Sequence, residues 1–290
     1  MNIIFQIDGG LGKSIMATAV CEAIKKRYPE SNLYVITAYP DVFLCNPNVT
    51  KAYAHGNMQY FYKDVIDNKE IKAFIHNPYF ETSFIKQEKH LLETWCEMFG
   101  LKYNNEQPKI YLTEREITFY GTQFSFNKPI LVMQTNGGAE NQINKYSWAR
   151  DIPLQVAHQV VEEFKSTYDI AHIRRKDQLA LENTTPIEAS FRALATLILI
   201  SKKRLFMDSF CQHTAKALGL DSVVCWIANK SSQFGYENNI NIVANPETVV
   251  PELKFSQFLK YNISGEPLEF PYNNVQEIFN TEQIIDALKQ

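Results

Sequence analysis

Apolar positions fall into short runs separated by stretches of helical period, and that alternation predicts the elements. Ile3-Ile4-Phe5-Gln6-Ile7 reads as a strand. Behind it, Ile15, Ala19 and Ala23 recur four apart beside Met16, Val20 and Ile24, the pattern of a helix buried over a broad face. Further strands are predicted at 33–36, 51–54, 72–75 and 109–112, with a long helix over 83–99. The pattern restarts after Phe126-Asn127-Lys128-Pro129, with strands at 130–134, 170–173, 204–207 and 222–226 and helices at 154–165, 187–200 and 210–218. Strands alternating with helices imply parallel βαβ units. The expected fold class is therefore α/β, with two Rossmann-like domains over 1–127 and 128–290 and ligands at the carboxyl ends of the strands. A closing helix over 281–289, with Ile284, Ile285 and Leu288 on one face, is expected to pack back on the first domain.

Composition narrows the picture little. A chain of 290 residues that is 45% hydrophobic has ample material for two cores. The five cysteines form no C-x-x-C pair and no metal-ligand spacing with histidine, which argues against zinc and against a disulfide framework. A reduced, cytoplasmic protein is expected, since nothing at the N-terminus resembles a signal peptide. The longest apolar run, 193–200, is far short of the ~20 residues that span a bilayer. A net charge of −3 does not indicate nucleic acid as a partner, although a local basic patch would not show in that sum.

Two stretches suggest chemistry. Asp8-Gly9-Gly10-Leu11-Gly12-Lys13-Ser14 lies between the first strand and first helix. Gly9, Gly10 and Gly12 let backbone N–H groups approach a phosphate at a helix N-terminus, though many such turns only pack tightly. Asp208-Ser209-Phe210-Cys211-Gln212-His213 begins at the end of a later strand and enters a helix that Ser209 is placed to cap. His213, four residues on, projects from the same side of the first turn. Together they make a candidate diphosphate grip, or alternatively a structural histidine above a helix cap.

The segment Asp-Ser-x-x-x-His-x-x-x-Ala-Leu-Gly, followed by Val223-Val224-Cys225-Trp226, resembles the nucleotide-sugar site of family 9 glycosyltransferases, the heptosyltransferase-like group with the GT-B fold. The glycine turn, the helix ending in Tyr28-Pro29, the loop Asn46-Pro47-Asn48-Val49 and Lys145-Tyr146-Ser147-Trp148 follow in the order seen in those enzymes. The resemblance implies that Thr135, Asn136 and Lys145 contact the donor, with Asp208, Ser209 and His213 around its diphosphate and ribose. It implies a metal-independent, inverting transfer from a nucleotide-sugar donor, with no cofactor, to a saccharide, lipid-linked glycan or other hydroxyl acceptor in the first domain. The chain has no Asp-x-Asp metal-holding motif.

One position departs from the family. Where the family carries an aspartate proposed as the base, this chain has Lys13, and a protonated lysine cannot take that proton. Asp8 is the nearest carboxylate; Lys13 is left to bind phosphate or to pair with Asp8. The loop also resembles the deviant phosphate loop of ParA/MinD-like ATPases, but their signature lysine would fall at Asp8. A catalytically silent nucleotide-sugar-binding protein is the third reading. Aromatic stretches at 60–62 and 78–80 suit a sugar acceptor or a core.

Overall fold

The computed structural model describes residues 1–137, 147–256, 260–261 and 269–290. Its first layer is a parallel four-stranded sheet of β1 (Asn2–Ile7), β2 (Asn32–Thr37), β3 (Lys51–Ala54) and β4 (Ile71–Phe74), ordered β3-β2-β1-β4. Helix α1 (Leu11–Arg27) leaves β1 through the glycine turn and is buried on nearly every side from Lys13 to Ile24. It packs on α3 (Leu91–Met98) within its own domain and on a helix of the second domain, which explains the breadth of its apolar face. Lys25, Lys26 and Arg27 fill its last turn, where cations complement the helix dipole.

The second sheet is parallel and six-stranded, ordered β10-β9-β8-β5-β6-β7. Its strands are β5 (Ile130–Met133), β6 (Asp169–Ile173), β7 (Thr185–Ile187), β8 (Lys203–Met207), β9 (Val223–Trp226) and β10 (Ile240–Val243). Strands β5 and β9 are buried at every position, as befits a parallel sheet covered on both faces. Helices α5 (Leu154–Phe164), α6 (Phe191–Ile200), α7 (Phe210–Ala217) and the single-turn α8 (Ser231–Phe234) connect it.

The two domains share one core. Ala217, Val224, Trp226 and Phe234 pack in the same cluster as Ile3, Phe5 and Val20. Gly12 makes the close approach possible: a Cβ there would stand 3.0 Å from Cδ2 of His213 and 3.5 Å from the Phe210 Cα. The connecting segment threads between the helices, Lys109 donating its N–H to Thr18 Oγ1 (2.9 Å) and Ile110 to the Ala217 carbonyl (3.2 Å). Helix α4 (Glu114–Gly121) then packs on α6. There the buried Arg192 forks onto Glu116 (2.8 and 2.8 Å) and reaches the carbonyls of Tyr111 (2.6 Å) and Asp41 (3.4 Å).

Four expectations need correction. The helix over 83–99 is broken into α2 (Thr82–Ile85) and α3, because the charged stretch 86–89 turns at Gln87 (φ 54°) and His90 caps α3 with its ring. Residues 109–112 bond to α1 and α7 and form no strand. Ile187 belongs to β7, so α6 starts at Phe191. The closing helix, α9 (Thr281–Lys289), packs on α5 and beside β8, β9 and β10, with Ile284, Ile285 and Leu288 in the second domain's core rather than back on the first domain.

Candidate functional site

Each sheet reverses its strand order beside its first strand: β1 lies between β2 and β4, and β5 between β6 and β8. Crevices open at the carboxyl ends of such switch points. Here both open into one cleft of about 570 Å³. The first domain contributes Gly10, Leu11, Gly12, Lys13, Tyr39 and Tyr79, and the second Gln134, Asn136, Gly137, Asp208, Ser209 and His213. The glycine turn and the 208–213 segment thus face each other from separate sheets. A larger hollow of about 810 Å³, between α5 and α9, gathers none of these residues.

On the first-domain side, Gly9 turns at φ +108°, a conformation that excludes most side chains, and Gly10 starts α1 in extended conformation. Lys13 is buried. Its Nζ donates to Asn77 Oδ1 (2.7 Å) and lies over the rings of Tyr79 (4.6 Å) and Trp95 (5.2 Å). Burial lowers its pKa to about 8, against the opposing pull of Asp8. Ser14 is wholly buried and its hydroxyl pairs with that of Thr37 (3.0 Å), so it is turned away from any phosphate-bound metal. Asp8 stands exposed beside His55 (3.7 Å) and accepts from Gln6 (3.1 Å); it is not among the residues lining the cleft.

On the second-domain side, the loop after β5 is organised by Asp151, which sequence reasoning missed. Its carboxylate accepts from the Asn136 amide (3.1 Å) and from the N–H groups of Gly137 (2.9 Å) and Ser147 (2.8 Å), while burial raises its pKa. Thr135 is turned from the cleft: its hydroxyl donates to Asn136 Oδ1 (2.9 Å) and receives the Nε2 proton of buried His172 (2.8 Å). Asn136 and Gly137, not Thr135, line the cleft here. Lys145 lies outside the described residues.

At the start of α7, Ser209 occupies the cap position, but its hydroxyl accepts from the Gln134 amide (3.2 Å) instead of a helix N–H. Asp208 accepts from Asn229 (2.5 Å), and burial raises its pKa. Gln212 donates to Nε2 of His213 (3.4 Å), which leaves that ring's proton on Nδ1, 2.8 Å from the Tyr236 hydroxyl. Burial, aided by nearby His90, drops the pKa of His213 to about 3, so it meets a ligand as a neutral ring.

The cations of this side come from residues the sequence reading passed over. Arg150, Arg174 and Arg175 line the cleft. Arg174 spends Nη1 on the carbonyls of Arg175 (3.0 Å) and Gln178 (2.9 Å), while its buried Nε has no partner among the described residues. Arg175 pairs with Asp177 (3.0 Å) and approaches the Gly137 carbonyl (3.5 Å). With Lys13, four cations face two carboxylates, Glu188 and Asp208. The pair Arg174-Arg175 just past a strand was the available signal. The cleft can hold a polyanion between two Rossmann-like domains.

That arrangement is the GT-B fold. A family 9 glycosyltransferase from Veillonella parvula superposes on 99% of this chain and 96% of its own, with a TM-score of 0.70 at 14% identity. E. coli ADP-heptose LPS heptosyltransferase II matches over 100% and 98%, at 0.69 and 13%. The iron-containing dodecameric glycosyltransferase TibC from enterotoxigenic E. coli matches over 99% of this chain and 77% of its own, at 0.70 and 12%. No protein-family model and no curated protein sequence matches the chain. No helix of the described residues is long and apolar enough to cross a membrane.

Proposed function

We propose that the protein is a glycosyltransferase that moves a sugar from a nucleotide-diphosphate sugar to an acceptor hydroxyl, with inversion and without a metal. The observation that supports this most is the single cleft onto which both switch points open, with Arg150, Arg174 and Arg175 in its second-domain wall. A leaving diphosphate needs charge compensation that strengthens as the glycosidic bond breaks, and fixed cations and helix N–H groups supply it. In this reading the second domain holds the donor through Asn136, Gly137, Ser209, the N-terminus of α7 and the arginines. Asp208 and neutral His213 position donor hydroxyls, and Lys145 adds charge. The first domain, with Gly9, Gly10 and Gly12 shaping its turn, presents a saccharide or lipid-linked acceptor on the cytoplasmic side.

Three solved proteins of the fold are named as heptosyltransferases, which makes ADP-linked and other nucleotide-linked heptoses and hexoses the donors to try first. The test is isothermal calorimetry with ADP-, UDP- and GDP-sugars in EDTA. One nucleotide class should bind, and at 100 times its Kd it should add about 2.7 kcal/mol of stability. Absence of binding to all three classes overturns the proposal, and Mg²⁺-dependent ATP turnover would replace it with the ATPase reading.

A further inference from the structure

We propose that the Lys13 amine is the general base that deprotonates the acceptor hydroxyl. The inference rests on the glycosyl-transfer reading above. A nucleophile that displaces a diphosphate in line must approach from the side opposite the leaving group, so its base belongs to the wall facing the anion grip. That wall is the first domain. Apart from the phenols of Tyr39 and Tyr79, Lys13 is the one ionisable side chain that the first domain places in the cleft among the described residues. The other candidates are excluded by position. Asp8 stands exposed outside the lining, Asp208 (bound to Asn229) and Glu188 line the cleft from the second domain, on the donor's side, and both nitrogens of His213 are engaged.

The surroundings of Lys13 fit a proton acceptor. Asn77 Oδ1 takes one N–H at 2.7 Å, which fixes the amine and leaves a lone pair when it is neutral. Around it are Asp8 at the end of β1, whose charge favours the ammonium, Tyr79 after β4, Trp95 on α3 and, across Gly12, His213 of α7, held neutral. Burial outweighs Asp8. With a pKa of about 8, about a tenth of the molecules hold a neutral amine at pH 7. A buried lysine is well suited to this role because its pKa moves readily.

The step balances. The Nζ lone pair takes the hydroxyl proton, the oxygen forms its bond to the anomeric carbon, and the bond from that carbon to the diphosphate oxygen breaks. Its electron pair leaves with the nucleoside diphosphate, and Lys13 ends as the ammonium.

Hydrolysis of the bound nucleotide sugar, with water in the acceptor's place, tests the role without an identified acceptor. Calorimetric binding of that nucleotide sugar is measured alongside and reports on the transferase reading separately. Nucleoside diphosphate release by the parent should rise with pH to a plateau above about 8. Lys13→Met and Lys13→Arg should both bind donor yet lose about 10²–10⁴-fold in release, because neither supplies a neutral amine. Lys13→Cys alkylated to the thioether amine, a weaker base than lysine, should recover release with its rising limb at lower pH. Release by Lys13→Arg at the parent rate, a limb that the thioether amine does not move, or no release by a donor-binding parent at pH 9 would each overturn the inference.

Discussion

Replacing Lys13 with methionine should make the ligand-free protein more stable at neutral pH, although the lysine is engaged with Asn77 and two aromatic rings. The fall of its pKa from 10.5 to about 8 is equivalent to about 3 kcal/mol of charge burial that the fold sustains when the amine is protonated. Methionine fills a similar volume without that charge. The substitution forfeits the hydrogen bond to Asn77, about 1 kcal/mol. Asn77 Oδ1 is not orphaned by this, since it also accepts the Tyr79 N–H at 3.1 Å. The net gain is about 2 kcal/mol at pH 7, or roughly 4 °C in Tm for a chain of this size. Above pH 8 the unfolded chain binds more protons at this position than the folded one, so the parent gains stability until about pH 10.5 and the advantage of methionine fades. Urea unfolding at pH 7 and pH 10 measures both limits. A methionine variant less stable than the parent at pH 7 would refute the reasoning. It would mean that the aromatic contacts outweigh desolvation and that the amine rests as a cation.

Other substitutions probe the frame of the site. Gly12→Ala should destabilise by about 1–3 kcal/mol in urea unfolding, because the added methyl meets a His213 ring that Tyr236 holds in place. Arg192 holds Glu116 well below the carboxylate range, at about 2, so the pair's contribution is full above pH 4.5 and is lost as pH falls toward 2. Glu116→Gln should therefore lose about 1–2 kcal/mol at pH 7, after allowance for screening at a partly exposed carboxylate, and match the parent near pH 2. Asp151→Asn should keep the fold but weaken nucleotide-sugar binding by about tenfold in calorimetry, since the loop at 136–137 loses its charged acceptor. Arg174→Ala should weaken donor binding with a reduced salt dependence, while unchanged affinity would assign the arginine to loop structure alone.

Much of the fold was legible because buried parallel strands leave short apolar runs, and nearly all the strands predicted between residues 2 and 226 are present. Residues 109–112 misled for a physical reason: they are extended and half-apolar, but their partners are Thr18 and the end of α7, which no local pattern announces. Strands β7 and β10 escaped notice, being short edge strands with exposed positions. At the site, the two glycine- and serine-led turns could be found because strand-to-helix turns are local. Asp151 and Gln178 could not, since both bond to the 136–137 stretch, which only the fold brings near them. Direction was also illegible: Thr135 and Asn136 are neighbours, yet the Thr135 hydroxyl meets buried His172 while Asn136 lines the cleft.

The Arg192 clamp and the threaded segment at 101–113 bear on the construction of hybrids within this two-domain fold. Donor and acceptor halves of two-domain transferases invite exchange, and the restart of the strand pattern near residue 129 looks like the natural seam. In this chain a junction there would graft a foreign second half onto a native α4 whose Glu116 awaits an arginine, and onto a segment that seeks the carbonyl of Ala217. A cut before residue 101 would carry α4, its arginine and that thread together, leaving the α1–α7 seam at Gly12 and the thread's contacts with α1 as the surfaces to be matched by design.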